Sequence, residues 1–195
     1  MPAHRAYLAG LIQSAAVGSM RTDHGFLVGL PEHGHIVVDD MVLDDDGLWG
    51  SDGETLLRHA ARSGVLRVVC PVPEPERRRT VAGLGLSVAE TWWHKDLDGV
   101  HAPRERGGAG ERLDVDSAEA ILVCAPPVYA PGGPVVMVRS APSTSALRAV
   151  EQEATRRGCV VAVASAKPGI GPPPDMLEAS GYTMTTEFFE GSARL

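Results

Sequence analysis

The sequence predicts an α/β fold with a mixed sheet, made of two similar half-size lobes related by an approximate twofold axis. The order helix, strand, helix, strand occurs twice, in residues 53–93 and again in residues 143–189. The glycines that end matching elements recur about 95 residues apart, Gly64 with Gly158 and Gly85 with Gly181. Paired aromatic residues close both segments, Trp92-Trp93 and Phe188-Phe189. A repeat of this length in a chain of 195 residues indicates a duplicated design.

The duplication divides the chain into three parts. Residues 1–95 are the first lobe, residues 117–195 are the second, and residues 96–116 join them. The joining segment is charged and rich in glycine, and it has almost no apolar periodicity. We therefore expect a surface linker that tolerates motion.

A β-hairpin precedes the repeated unit in each lobe. In the first lobe, β-branched runs at 25–31 and 35–43 are separated by a three-residue turn that contains Gly34. In the second lobe, the runs at 120–127 and 134–140 flank a longer loop. Each hairpin should supply two antiparallel strands ahead of a helix.

Apolar residues at helical spacing predict the principal helices. One stripe lies near the N-terminus, in residues 7–16. The main helix of the first lobe falls within residues 56–64. Its counterpart in the second lobe begins after a cap at Ser143 and stops at Gly158, where a glycine suits the end of a helix.

Composition and charge exclude several classes of protein. The net charge of −7 and the pI near 5.5 oppose binding to nucleic acid or to an anionic membrane, which needs a concentrated basic face. The one basic run, Arg77-Arg78-Arg79, is flanked by glutamates and predicts a solvated helix face. Three cysteines without close pairing favour buried, reduced thiols in a cytoplasmic protein. The sequence is compatible with a homodimer and does not decide the oligomeric state.

The order hairpin, helix, glycine, strand, helix, glycine-aromatic, strand resembles the core of the GCN5-related N-acetyltransferase superfamily, in a tandem and partly degenerate form. In the second lobe, Arg156-Arg157-Gly158 leads into the strand and Gly181-Tyr182 ends the next helix. In the first lobe, Ser63-Gly64 and Gly83-Leu84-Gly85 stand at the matching places. The resemblance implies transfer of an acetyl or other acyl group from CoA to an amine of a small molecule.

The resemblance also implies where acetyl-CoA binds. In the family, the pantetheine pairs with a strand edge where two parallel strands diverge, and the pyrophosphate lies at a helix N-terminus. The matching strand edge and helix start in the second lobe are Met137, Val138, Arg139 and Ser143, Thr144, Ser145. A simple N-cap explains these hydroxyls equally well, and the small residues of the family's phosphate loop are missing. In the first lobe, Asp52 and Glu54 should repel a pyrophosphate, so we expect CoA in the second lobe only.

The catalytic groups are less clearly marked. Leu177 stands where many family members have a tyrosine that protonates the leaving thiolate, so no general acid carries over. Tyr182 occupies the family's structural aromatic position, and a core role and a catalytic role both stay open. Asp40 and Glu90 are candidates for the base that deprotonates the amine, because each interrupts an apolar strand. Asp40 faces a pocket or marks a bulge, whereas for Glu90 and its counterpart Glu187 an exposed strand face is the simpler interpretation.

The duplication favours an acceptor site between the lobes. We expect Asp39 and Trp92 to line it together with Asp40 and Glu90, because an acidic, aromatic-walled cleft suits a cationic amine. Adjacent residues on a strand face opposite ways, so only one of Trp92 and Trp93 can lie in the core. The histidines around the first hairpin turn lack a third ligand at metal-site spacing, so no metal is expected.

Two other functions stay open. The fold is also compatible with an enzyme that performs CoA-independent chemistry on a polar metabolite. A third interpretation is a non-catalytic binding module whose two sites have both decayed. Affinity for CoA separates the acyltransferase from these alternatives, and a buried carboxylate in a roomy pocket would favour either enzyme over the binding module.

Overall fold

The computed structural model describes residues 20–97, 110–124 and 134–193. The helix predicted near the N-terminus, much of the predicted linker and the loop of the second hairpin lie outside these residues. The first half contains β1 (Met20–Arg21), β2 (Gly25–Glu32), β3 (His35–Leu43), a 3₁₀ helix (Asp46–Gly50), α1 (Asp52–Ala61), β4 (Val65–Pro71), α2 (Pro75–Gly83) and β5 (Ser87–Asp96). The second half contains β6 (Arg112–Val115), β7 (Ala118–Cys124), β8 (Pro134–Ser140), α3 (Thr144–Arg156), β9 (Val161–Ala166), α4 (Pro174–Ala179) and β10 (Thr183–Gly191).

The described chain forms two compact units. Unit 1 contains the residues up to Ala89 together with those from Thr186 onward, and unit 2 contains Glu90–Thr185. In unit 1 the strand order is β1-β2-β3-β4-β10, and in unit 2 it is β5-β9-β8-β7-β6. Each unit therefore takes its last strand, β10 or β5, from the other half of the sequence. The predicted repeat of element order is confirmed, and the twofold relation between the lobes stays a prediction.

The pairing pattern is the same in both units. A hairpin, β2-β3 or β7-β8, leads into a parallel pair, β3-β4 or β8-β9. An antiparallel strand then lies on the far side of β4 or β9. The registers also correspond, because Thr186 pairs with Pro71 in unit 1 and Thr91 pairs with Ala166 in unit 2.

Each unit packs its helices on one face of its sheet. In unit 2, Leu147, Val150 and Ala154 of α3 are fully buried in the core, as the helical spacing predicts. Fully burying such a leucine stabilises the fold by about 1.5–3 kcal/mol. The predicted cap is confirmed, because Ser143 Oγ accepts a hydrogen bond from Ala146 N at 3.2 Å. In unit 1, Leu56 of α1 has the corresponding buried role.

The segment predicted as a linker contains a strand. β6 pairs antiparallel with β7, with Leu113 buried and its neighbours Arg112 and Asp114 exposed. The alternation of buried and exposed side chains in β6 spans only four residues between charged segments, so the sequence pattern does not reveal this strand. Among the described residues, no helix is both long enough and apolar enough to cross a membrane.

Candidate functional site

The parallel strands of unit 2 diverge at their carboxyl ends. Pairing of β8 with β9 ends at Val138 and Ala164, although each strand continues for two more residues. Arg139, directly after the last pair, is the extra residue of a β-bulge against β7. A bulge bends and twists its strand, which accounts for the divergence. Backbone groups on the two facing edges no longer pair with each other here, and such groups are suited to bind a ligand.

The N-terminus of α3 follows β8 by only three residues. Its first turn carries no acidic side chain, and Ser143 Oγ lies 2.9 Å from Ser145 Oγ. Unpaired N–H groups and the helix dipole favour an anion at such a place. The structure therefore places the predicted cofactor residues along one path, from the end of β8 to the start of α3. Arg139 is exposed, whereas Val138 packs in the core and offers only its backbone.

The matching divergence in unit 1 is covered by a side chain of the protein. Pairing of β3 with β4 ends at Val38, and Asp39 and Asp40 then form a bulge opposite Val28. Arg77, from α2, is only 3% exposed, and its Nη2 donates a hydrogen bond to the Asp39 carbonyl oxygen at 3.2 Å. The guanidinium carbon also lies 5.7 Å from the centre of a Trp49 ring. Arg77 thus binds the strand edge just where the parallel pair opens.

The helix start of unit 1 is covered as well. Trp49 of the 3₁₀ helix is buried and packs on Gly53, where a Cβ atom would lie only 2.9 Å from the indole. The first turn of α1 also carries Asp52 and Glu54. An anion at this helix start would meet an indole and two carboxylates, in contrast to the acid-free start of α3.

The sequence predicts a solvated helix face at residues 77–79, and this prediction is wrong for Arg77. Arg77 is buried, Arg78 Nε forms an ion pair with Glu187 at 2.8 Å, and Arg79 pairs with Glu76 at the surface. The sequence shows only local charge. It does not show that the bulge at Asp39 supplies a carbonyl oxygen to a buried guanidinium.

A polar cluster in unit 2 gathers around Glu90. Glu90 Oε1 accepts hydrogen bonds from Trp92 Nε1 at 2.7 Å and from Ser165 Oγ at 2.5 Å. Glu90 Oε2 lies 3.4 Å from Lys167 Nζ. The exposed strand face expected for Glu90 and Glu187 is wrong, since they are only 6% and 5% exposed. Charge-assisted contacts of this kind allow a carboxylate to be buried.

This Glu90 cluster lies at the strand divergence. Ser165 is the first residue of β9 beyond the last parallel pair, and it pairs in register with Trp92. Trp93 packs in the core with α3, and Lys95 Nζ pairs with Glu151 of α3 at 2.7 Å. Because side chains alternate along a strand, Glu90 and Trp92 lie on the sheet face away from α3. The predicted opposite orientation of the two tryptophans is confirmed.

The remaining candidates have separate environments. Tyr182 is buried in the core of unit 2, its ring centre lies 5.5 Å from Lys95 Nζ, and burial raises its pKa well above the ordinary value. These are the surroundings of a core aromatic residue, and the catalytic role of Tyr182 stays a prediction.

Asp39 and Asp40 belong to unit 1, where Asp39 is exposed and Asp40 is half-buried. Their sharing of a cleft with Glu90 and Trp92 also stays a prediction.

Two residues of the candidate site, Ser165 and Lys167, have only weak sequence signals. Ser165 is a lone hydroxyl in an otherwise apolar strand, and Lys167 is one of only two lysines in the chain. Met137 lies half-buried on β8 directly beside Val163. Within the described ranges, no group of three or more His, Cys, Asp or Glu side chains is arranged to hold a metal ion.

Comparison with known proteins identifies the fold. No family model and no curated protein matches the sequence. Among solved structures, a candidate acetyltransferase from Thermoplasma acidophilum is similar over 96% of this chain and 84% of its own, with a TM-score of 0.57 and 12% identity. A GCN5-related N-acetyltransferase from Sphaerobacter thermophilus is similar over 88% of this chain and 78% of its own, with a TM-score of 0.55 and 10% identity. The chain therefore has the fold of the GCN5-related N-acetyltransferases.

Proposed function

We propose that this protein transfers an acyl group from CoA to an amine of a small molecule, and that unit 2 holds the CoA. The observation that carries the proposal is the divergence of β8 and β9 directly before an acid-free helix start and beside a buried carboxylate. The acetyltransferases of the same fold support acyl transfer as the class of reaction. The acyl group is acetyl in the simplest case.

The donor side follows from the path between β8 and α3. The amides of pantetheine would pair with the edge of β8 beyond Val138, where β9 has turned away. The pyrophosphate would lie at the first turn of α3, where unpaired N–H groups and the hydroxyls of Ser143 and Ser145 are available. Arg139, exposed between these two places, adds a positive charge. Unit 1 offers neither feature, because Arg77 and Trp49 cover its edge and its helix start.

The acceptor side follows from the Glu90 cluster. Transfer requires the amine to lose its proton as its nitrogen attacks the thioester carbonyl carbon and the C–S bond breaks. Glu90 is a buried carboxylate that contacts Ser165 at the divergence, and the hydrogen bonds it accepts from Trp92 and Ser165 fix its orientation. We assign Glu90 as the base and Ser165 as a positioning residue. The indole of Trp92 would attract a cationic acceptor through its ring face.

A turnover assay with a panel of small amines tests this proposal. Release of CoA thiol from acetyl-CoA should depend on the added amine. Glu90→Gln should lower kcat about 100-fold, within the range for removal of a general base, while the affinity for CoA stays unchanged. Glu178→Gln is the matched control, because Glu178 is an exposed acid of unit 2 on α4. Tight CoA binding with no turnover on any amine would instead favour a binding module, and failure to bind CoA would refute the proposal.

A further inference from the structure

Lysine is rare in this chain. The sequence has only two lysines, Lys95 and Lys167, although lysine and arginine together number 18. An amine differs from a guanidinium in that it can lose a proton and act as a nucleophile. Both lysines lie in unit 2, and one of them belongs to the Glu90 cluster.

Lys167 reaches back toward the strand divergence. It directly follows β9, and its Nζ lies 3.4 Å from Glu90 Oε2, while Glu90 Oε1 lies 2.5 Å from Ser165 Oγ. Ser165 is the first residue past the last parallel pair of β8 and β9. The contacts through Glu90 therefore bring the Lys167 amine toward the opening between these two strands. The Lys167 side chain is 48% exposed, so a thioester can approach it from solvent.

The backbone at Lys167 is held in place by its own turn. Lys167 N donates to Ile170 O at 2.9 Å, and Ile170 N donates back to Lys167 O at 3.0 Å. Gly171 then packs on Ser165, where a Cβ atom would come within 2.4 Å of the Ser165 carbonyl oxygen. Any other residue at Gly171 would push this turn away from β9, and its φ of 90° also favours glycine. The turn thus holds the backbone of Lys167 at the end of β9, from where its side chain reaches Glu90.

We propose that Lys167 is itself an acyl acceptor, so that the protein acylates its own candidate site. This inference rests on the proposed function, because acyl-CoA is the donor. The Lys167 ammonium first gives a proton to Glu90, and the freed Nζ lone pair forms a bond to the thioester carbonyl carbon. The C–S bond breaks, and the departing CoA sulfur takes up the second proton that the nitrogen loses, so that CoA leaves as the thiol. The product is an amide that carries no charge beside Glu90.

Lys95 provides an internal control. Its Nζ lies 2.7 Å from Glu151 and 5.5 Å from the centre of the Tyr182 ring. Its side chain is 26% exposed and faces α3, on the sheet face away from the Glu90 cluster. An acylation that depends on the candidate site should therefore modify Lys167 and spare Lys95.

Mass spectrometry of the full chain after incubation with acetyl-CoA tests the inference. We expect one acetyl group per chain, located by peptide mapping on Lys167. Lys167→Arg should abolish the gain in mass and Lys95→Arg should leave it unchanged. Glu90→Gln should slow it at least about tenfold, since it removes the proton acceptor. Calorimetry with CoA on the same samples shows whether each variant still folds and binds.

The outcomes separate the two proposals. CoA bound by the wild type without acetylation of Lys167 would overturn the inference and leave the proposed function standing. Equal acetylation of Lys95 and Lys167, or an unchanged rate in Glu90→Gln, would also overturn it, because it would show uncatalysed reaction at exposed amines. Failure of the wild type to bind CoA at millimolar concentration would refute the proposed function, and the inference would fall with it.

Discussion

Replacement of Arg77 by alanine tests whether the buried contacts of this side chain at the strand divergence stabilise unit 1. The substitution removes the hydrogen bond to the Asp39 carbonyl oxygen, and a bond from a charged donor contributes about 1.5–3 kcal/mol. It also removes two buried methylene groups, Cγ and Cδ, at about 0.8 kcal/mol each. Relief of the buried charge offsets part of this loss. We therefore expect Arg77→Ala to lower the free energy of unfolding by about 3 kcal/mol.

Urea unfolding of the full chain measures this loss. Arg79→Ala is the matched control, since Arg79 is an exposed neighbour whose surface ion pair with Glu76 contributes at most about 1 kcal/mol. Arg77→Met keeps most of the apolar stem, so its loss should fall between those of the two alanine variants. An Arg77→Ala protein within about 0.5 kcal/mol of the wild type would refute the reasoning.

Local sequence patterns predicted most of the elements. The run at 35–43 coincides with β3, and the Ser143 cap and the helical spacing after it coincide with α3. The bulge at Asp39 and Asp40 was one of two alternatives for acids that interrupt an apolar strand. These features depend on residues that are close in sequence, where the periods of strand and helix apply.

The sequence did not predict features that depend on distant pairings. The burial of Glu90 follows from its hydrogen bond to Ser165, and the burial of Arg77 follows from the carbonyl oxygen of Asp39. The placement of β10 next to β4, and of β5 next to β9, was equally hidden. Charge and hydropathy along the chain carry no information about which distant strand supplies a partner.

Three further predictions follow from the burial and contacts of single residues. Ser165→Ala should lower kcat about tenfold with unchanged affinity for CoA, because Glu90 loses one of its donors; an equal effect of Thr183→Ala, at an exposed position, would contradict this. Burial raises the pKa of Cys70 and Cys159 to about 11, so both thiols should resist iodoacetamide at pH 8 until the protein is unfolded. Burial lowers the pKa of His94 below 6.5, so the folded state favours the neutral imidazole. The free energy of unfolding should therefore fall as the pH drops below 6.5, where the unfolded chain binds a proton at this residue. His94→Gln should flatten that dependence in urea titrations at several pH values.

Calorimetric titration with CoA tests the central claim, that unit 2 alone holds the donor. We predict one CoA per chain. Arg139→Glu should weaken binding at least about tenfold, a loss of about 1.4 kcal/mol, because it reverses the charge before the α3 start. Arg112→Glu, the same charge change at an exposed position of unit 2, should leave the affinity within about twofold, and so should Asp52→Ala in unit 1. Two CoA molecules per chain, or an affinity that responds to Asp52 and not to Arg139, would contradict the account.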